Sequence, residues 1–238
     1  MTQADDALRA LQTLETEALA QYCQRIEVRG EIAQVLELTL RRGQGLWASR
    51  GSLMAYSPGV QWSLKIPGGA GKAIGRMMTG EGAALVRVEP STDADHVVLT
   101  ANQPGKLATW DLSRGPIICT PGSFVAAIGD VDIDVTMARS AGAALFGGAG
   151  LFLQKLSGTG IVVVHGSGDF VARQLQPGET LLVSTGNLAV FSGNVDYGVR
   201  GVAGCSRVLF GGEGLFMTEL RGPGWVMLQS LKKNAPSG

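Results

Sequence analysis

Residues 47–62 (WASRGSLMAYSPGVQW), 118–133 (ICTPGSFVAAIGDVDI) and 182–197 (LVSTGNLAVFSGNVDY) align without a gap, so one chain carries one pattern three times. A glycine is common to all three, at Gly51, Gly122 and Gly186. A small or polar residue and two apolar residues follow. A second turn comes next, at Ser57-Pro58-Gly59, Gly129-Asp130 or Gly193-Asn194, and leads into Val60, Val131 or Val195. The pattern reads as strand, turn, strand, turn, strand.

Each copy is followed by a second block: GGAGKAIGRMMTGEGAALVRV from Gly68, GGAGLFLQKLSGTGIVVV from Gly147 and GGEGLFMTELRGPGWVML from Gly211. Val131 and Val195 are 64 residues apart, and so are Gly147 and Gly211, which makes both blocks parts of one repeat. In the later two copies alternating apolar residues (Leu151, Leu153; Leu215, Met217) precede the pairs Gly158/Gly160 and Gly222/Gly224. Those pairs are expected to close a turn, with Ile161 to Val164 and Trp225 to Leu228 returning as buried strands of a hairpin. The first copy is shorter between Val60 and Gly68 and more polar. Lys72, Arg76 and Met77-Met78 make it the place where a short helix or functional loop would sit.

The expected fold is therefore all-β, built from three pseudo-symmetric β-sandwich repeats at about 26–116, 117–180 and 181–231. Residues 1–25 form a helical extension and 232–238 a flexible tail. Thr2 to Arg25 reads as one amphipathic helix, with Thr2 and Asp5 at capping-box spacing and Leu8, Leu11, Leu14, Ala18 and Tyr22 on one side. The stretch from Ser140 to Gly168 holds a single charge, Lys155, over a bilayer's length. Its paired glycines and its charged relative at Val208 to Leu231 assign it to buried strands, leaving membrane contact as a minor alternative.

Charge narrows the partners. Twenty basic and twenty acidic residues cancel and no basic cluster exceeds a pair, so nucleic acid is not an expected partner. Only 17% of residues are charged, a composition that fits a surface buried against further copies of the chain. Cys23, Cys119 and Cys205 are odd in number and without metal-ligand spacing, as expected of free thiols in a reducing compartment. Without a basic n-region leading an apolar stretch, the cytoplasm is the expected address.

With the GGEGLFMTELRGPGWVMLQ, GGAGLFLQKLSGTG and PGETLLVSTGNLAVFSGNVDY segments in this order, the chain resembles, over about Ile26 to Leu231, the bacterial and mitochondrial family named for altered inheritance of mitochondria. That resemblance implies the fold of the tryptophan RNA-binding attenuation protein (TRAP), related to the double-stranded β-helix, with sandwich units around a pseudo-threefold axis. It also implies compact homo-oligomers, trimers among them, and brings no enzymatic activity. RNA binding does not carry over, since the chain has no basic patch.

No catalytic, cofactor or metal residue is assigned. Gly69-Ala70-Gly71-Lys72-Ala73 lacks both the leading glycine and the following hydroxyl of a phosphate loop, Ile66 and Ala73 standing in their places. His96 and His165 lack partners at ligand spacing, and Gly166-Ser167-Gly168 is not a nucleophile elbow. Asp130, Asp132 and Asp134 alternate with Val131, Ile133 and Val135, the pattern of a strand with one solvated face. The expected function is non-enzymatic: an assembly protein supporting a larger complex or membrane organisation, with an unidentified protein partner. The alternative is a binding module for a small apolar or lipid ligand lined by residues such as Phe152, Phe216, Trp225 or Met77.

Overall fold

The computed structural model describes residues 3–67, 84–137, 152–201 and 216–233. The double glycines at 68, 147 and 211 lie outside them, as do Thr2, Lys72, Arg76, Met77-Met78 and Cys205. The chain opens with α1 (Gln3–Gln12), α2 (Thr16–Ala20) and β1 (Cys23–Arg29). A first set of strands follows: β2 (Val35–Leu40), β3 (Leu46–Ala48), β4 (Leu53–Tyr56), β5 (Val60–Lys65), β6 (Leu85–Pro90) and β7 (His96–Leu99). The middle set is β8 (Gly105–Asp111), β9 (Ile117–Cys119), β10 (Phe124–Met137) and β11 (Phe152–Ser167). The last set is β12 (Phe170–Leu175), β13 (Thr180–Ser184), β14 (Leu188–Ser192), β15 (Asp196–Gly201), β16 (Phe216–Arg221) and β17 (Gly224–Gln229). The protein is all-β apart from its two short helices.

The pairings are antiparallel and follow one order. β7 lies between β2 and β4, and β6 between β3 and β5. Likewise β17 lies between β12 and β14, and β16 between β13 and β15. In the middle set the long β11 takes both roles: its second half pairs with β8 and the start of β10, its first half with β9 and the end of β10. The register slips at the same aligned place in every set, between Leu53 and Ala55, Phe124 and Ala126, and Leu188 and Val190. Such a bulge twists the strand locally and turns its backbone groups toward a new neighbour. That neighbour is the preceding set: β3 pairs with β10 (Ala48 opposite Ala126, Trp47 opposite Ala127) and β9 with β14 (Cys119 opposite Val190, Ile118 opposite Phe191).

Two local expectations are corrected. Gly129-Asp130 is not a turn, and Gly158/Gly160 do not close a hairpin, because β10 and β11 run through these places as one continuous pair. The glycines bend that pair instead of reversing it. Gly129 (φ +106°) faces Gly160, and a Cβ there would stand 2.7 Å from the Thr159 carbonyl oxygen. Gly222/Gly224 likewise link β16 to β17, strands that pair with other neighbours and not with each other.

Alternation puts the core inside. Along β2, Leu36, Leu38 and Leu40 are buried while Glu37 and Thr39 are not. Three apolar clusters result, and neighbouring sets share them: Val125, Ala126 and Ile128 join the first, Ala189 and Val190 the middle one, and Ile118 and Leu153 the last. The amino-terminal segment forms two helices and a strand where one helix through Arg25 is expected. Leu11 enters the middle cluster and Leu19 the first, and one straight helix would have to serve both. At the other end Lys233, expected in a flexible tail, donates its N–H to the Gly186 carbonyl at 2.9 Å.

Candidate functional site: a buried polar network and an apolar edge

The residues singled out in the sequence do not converge. Along β10 Asp130 and Asp132 are exposed and Asp134 half-buried, while Val131 and Ile133, which alternate with them, are buried. His96 is exposed on β7, whereas His165 is only 2% exposed on β11. Cys23 and Cys119 are buried and not joined in a disulfide, and burial pushes the Cys23 thiol up to about 12 against the opposing charge of Arg41. Among the residues named for a ligand cavity, Phe152 and Phe216 begin β11 and β16, Met77 lies outside the described residues, and Trp225 is half-buried against the middle cluster. Among the described residues no three His, Cys, Asp or Glu side chains stand close enough to hold a metal ion. Among them, too, no helix is long and apolar enough to cross a membrane.

His165 instead adjoins a polar network where the middle and last sets meet. Ser167 donates its hydroxyl to Gln103 Oε1 at 2.7 Å and its N–H to Gln229 Oε1 at 3.0 Å. Gln229 Nε2 donates to the Gly186 carbonyl at 2.7 Å, and Lys233 Nζ reaches the Ser123 hydroxyl at 3.1 Å. Burial, with the Lys233 charge as the second cause, pushes the His165 imidazole down to about 4, although a hydrogen bond with the Gln103 backbone favours its charged form. A neutral ring with its Nε2 unpaired and hard against Gly105 is packing, not an accessible base. The repeated glycine serves two ends here: Gly122 needs a left-handed backbone (φ +73°), whereas a Cβ on Gly186 would collide with the Lys233 carbonyl.

The second feature is apolar and exposed. Met54 and Tyr56 on β4 are 64% and 44% exposed, and Trp62 and Leu64 on β5 are 49% and 53%. Trp62 Nε1 donates to the Tyr56 hydroxyl at 2.9 Å, which holds the two rings as one surface. The turn joining β4 to β5 is braced by Asp95, whose carboxylate accepts from the Ser91 and Thr92 N–H groups (2.7 and 2.8 Å) and from the Ser57 hydroxyl (2.9 Å). These donors, Thr92 foremost, hold its carboxyl below the usual range. Large apolar side chains grouped on a rigid edge are the usual mark of a contact surface. Sequence inspection missed Met54, Tyr56 and Leu182, because apolar residues at strand positions read as core.

These features define an all-β protein of several antiparallel sheets that buries His165 and Cys23 in its interior. Residues 26–231 match the family model described as mitochondrial biogenesis AIM24, and the chain belongs to that family. Its fold is similar to that of protein SPYM3_0169 from Streptococcus pyogenes, solved by X-ray crystallography, with a TM-score of 0.70 and 24% identity over 87% of this chain and 94% of that one. None of the curated proteins compared with the chain matches it.

Proposed function

We propose that the chain is a tandem of three TRAP-like sandwich units and serves as a non-enzymatic assembly protein, a cytoplasmic homo-oligomer that supports a larger complex or membrane organisation. The observation that carries this reading is the recurrence of one pairing scheme, bulge included, in all three strand sets, with β3 clasping β10 and β9 clasping β14. A unit that binds its successor through a strand edge is the kind of module that builds arrays. A family defined by mitochondrial biogenesis is compatible with such a supporting role. The state of the titratable interior agrees as well: burial weakens His165 as a proton acceptor and disfavours the Cys23 thiolate, the reverse of a tuned base or an activated nucleophile.

Native mass spectrometry of the intact protein tests the reading. A bare oligomer is expected. A bare monomer at micromolar concentration removes the assembly function, and a reproducible adduct of small mass moves the function to ligand binding.

A further inference from the structure

Each of the three strand sets offers a short strand to the next one and receives one from the set before, but a chain of three has two ends. β13 of the last set stands where β3 and β9 stand, and β4 of the first set stands where β10 and β14 receive them. Yet β13 and β4 are the edge strands of two different sheets and do not pair with each other. We infer that β13 of one copy adds to β4 of a second copy of this chain, head to tail, repeating between molecules the junction that the chain makes twice within itself. The inference rests on the assembly function proposed above and names its interface.

Burial at aligned positions carries the inference. Val125, Ala126 and Ala127 in the middle set and Ala189, Val190 and Phe191 in the last are all 1% exposed or less, because the preceding set covers them. Their counterparts are Met54, Ala55 and Tyr56, and all three are exposed. On the donating side Ile118 is 5% exposed at the β9 junction, whereas Leu182, its counterpart on β13, is 55% exposed. Among the described residues the first and last sets therefore carry junction residues with no junction. Both uncovered patches are apolar, and each fits the kind of surface that covers its counterparts inside the chain.

The internal junctions also dictate the register. Ala48 faces Ala126 and Cys119 faces Val190, so Val183 of one copy faces Ala55 of the next, with Leu182 opposite Tyr56 and Leu181 opposite Ser57. The Ser49 and Thr120 N–H groups donate to the Val125 and Ala189 carbonyls, both at 2.9 Å. Ser184 and Met54 are the counterparts of that donor and acceptor. Gly193 extends the β9 junction by donating to the Pro116 carbonyl at 2.7 Å, but its counterpart Pro58 has no N–H, so the intermolecular ladder ends one bond earlier. Edge protection points the same way. The opposite edge of the β4 sheet, β1, is armoured by the ion pairs of Arg25 and Arg29 with Glu27 and of Arg29 with Glu37, whereas β4 presents no charge. A contact between two different surfaces of one molecule is heterologous, and it propagates until it closes a ring or continues as a filament.

Light scattering on the full-length chain and on Ala55→Asp and Leu182→Asp tests the interface, because both substituted sites are exposed in the protomer and both variants should fold with the wild-type circular-dichroism spectrum. The wild type is expected to be assembled and each variant monomeric. Mixed together, the two variants should form a dimer and nothing larger, since the intact β13 of one meets the intact β4 of the other and both remaining ends are spoiled. A wild type that is itself monomeric overturns the assembly function together with this interface. A wild type that is assembled, with variants that remain so, overturns the interface alone. Oxidation of the Ala55→Cys/Val183→Cys double variant should also link chains into a reducible ladder that Ala55→Cys/Leu182→Cys does not form. Equal ladders from both would overturn the register.

Discussion

The strands β10 and β14 on one hand and β4 on the other share a bulge, a preceding turn and an apolar composition, and differ in what lies against them. The Ser49–Ser52 and Thr120–Ser123 turns close with the same hydrogen bond, at 3.2 and 3.1 Å. Beyond the turn, Val190 and Phe191 are sealed by β9, whereas Ala55 and Tyr56 meet solvent. Local sequence does not decide this. The neighbouring strands do, because among the described residues β4 pairs with β7 alone, β1 pairs with the far side of β2, and the helices pack on β1, β8 and β12. Burial of aligned strands is thus a property of their neighbours.

Charge insertion gives the largest expected contrast. Val190→Asp places a carboxylate without a partner inside the middle cluster and should cost about 4 kcal/mol or more, enough to unfold most of the chain. Ala55→Asp, at the aligned exposed site, should change protomer stability by less than about 1 kcal/mol. Urea denaturation followed by tryptophan fluorescence measures both, and comparable losses would break the contrast. Truncation is the gentler version. Phe191→Ala removes a ring packed against Tyr197 with centroids 5.0 Å apart and should cost about 3 kcal/mol, against under about 1 kcal/mol for Tyr56→Ala.

Much of the β-structure was legible in residues 47–62, 118–133 and 182–197, because a glycine required by a left-handed backbone (Gly51, Gly122) or by close packing (Gly186), with flanking apolar residues, leaves a chain few choices. The places that misled did so for physical reasons. Glycine at 129, 158 and 160 signals a turn, but opposed glycines on paired strands also let both bend together, and only the pairing tells these apart. The amphipathic stripe through Leu11 and Leu19 looks like one helix until the two leucines are seen to enter different cores. The apolar edge was invisible, since Met54 and Tyr56 read as core by every local rule. His165 gave no sign of its network because Gln103, Gln229 and Lys233 reach that region from distant parts of the chain.

Thr100 just after β7, His165 on β11 and Gln229 on β17 occupy corresponding places, and of these only the middle residue titrates, so pH should separate the middle set from its neighbours. The imidazole is neutral in the fold, with its pKa depressed to about 4, and takes up a proton near 6.5 once unfolded. Its contribution is therefore complete above about pH 7 and is lost as pH falls toward 4, by about 3 kcal/mol. Denaturation midpoints measured across that window should flatten in His165→Gln, which installs the residue of the last set. An unchanged slope would mean that other groups govern acid stability.

Thiol reactivity offers the smallest effect and the finest discrimination, since it reports access without asking the fold to break. Cys119 lies in the closed β9–β14 junction, opposite Val190, and Cys23 is buried with its thiol pushed up to about 12. Neither presents an accessible thiol, so both should react with a disulfide reagent only as fast as the chain opens. A cysteine at the open edge, Ala55→Cys, should behave differently. If a second copy covers that edge, its labelling should quicken on dilution as assemblies part, while Cys119 stays protected at every concentration. Dilution that exposed Cys119 as well would show that the internal junction opens as easily as the intermolecular one, and the distinction between covered and uncovered ends would fail.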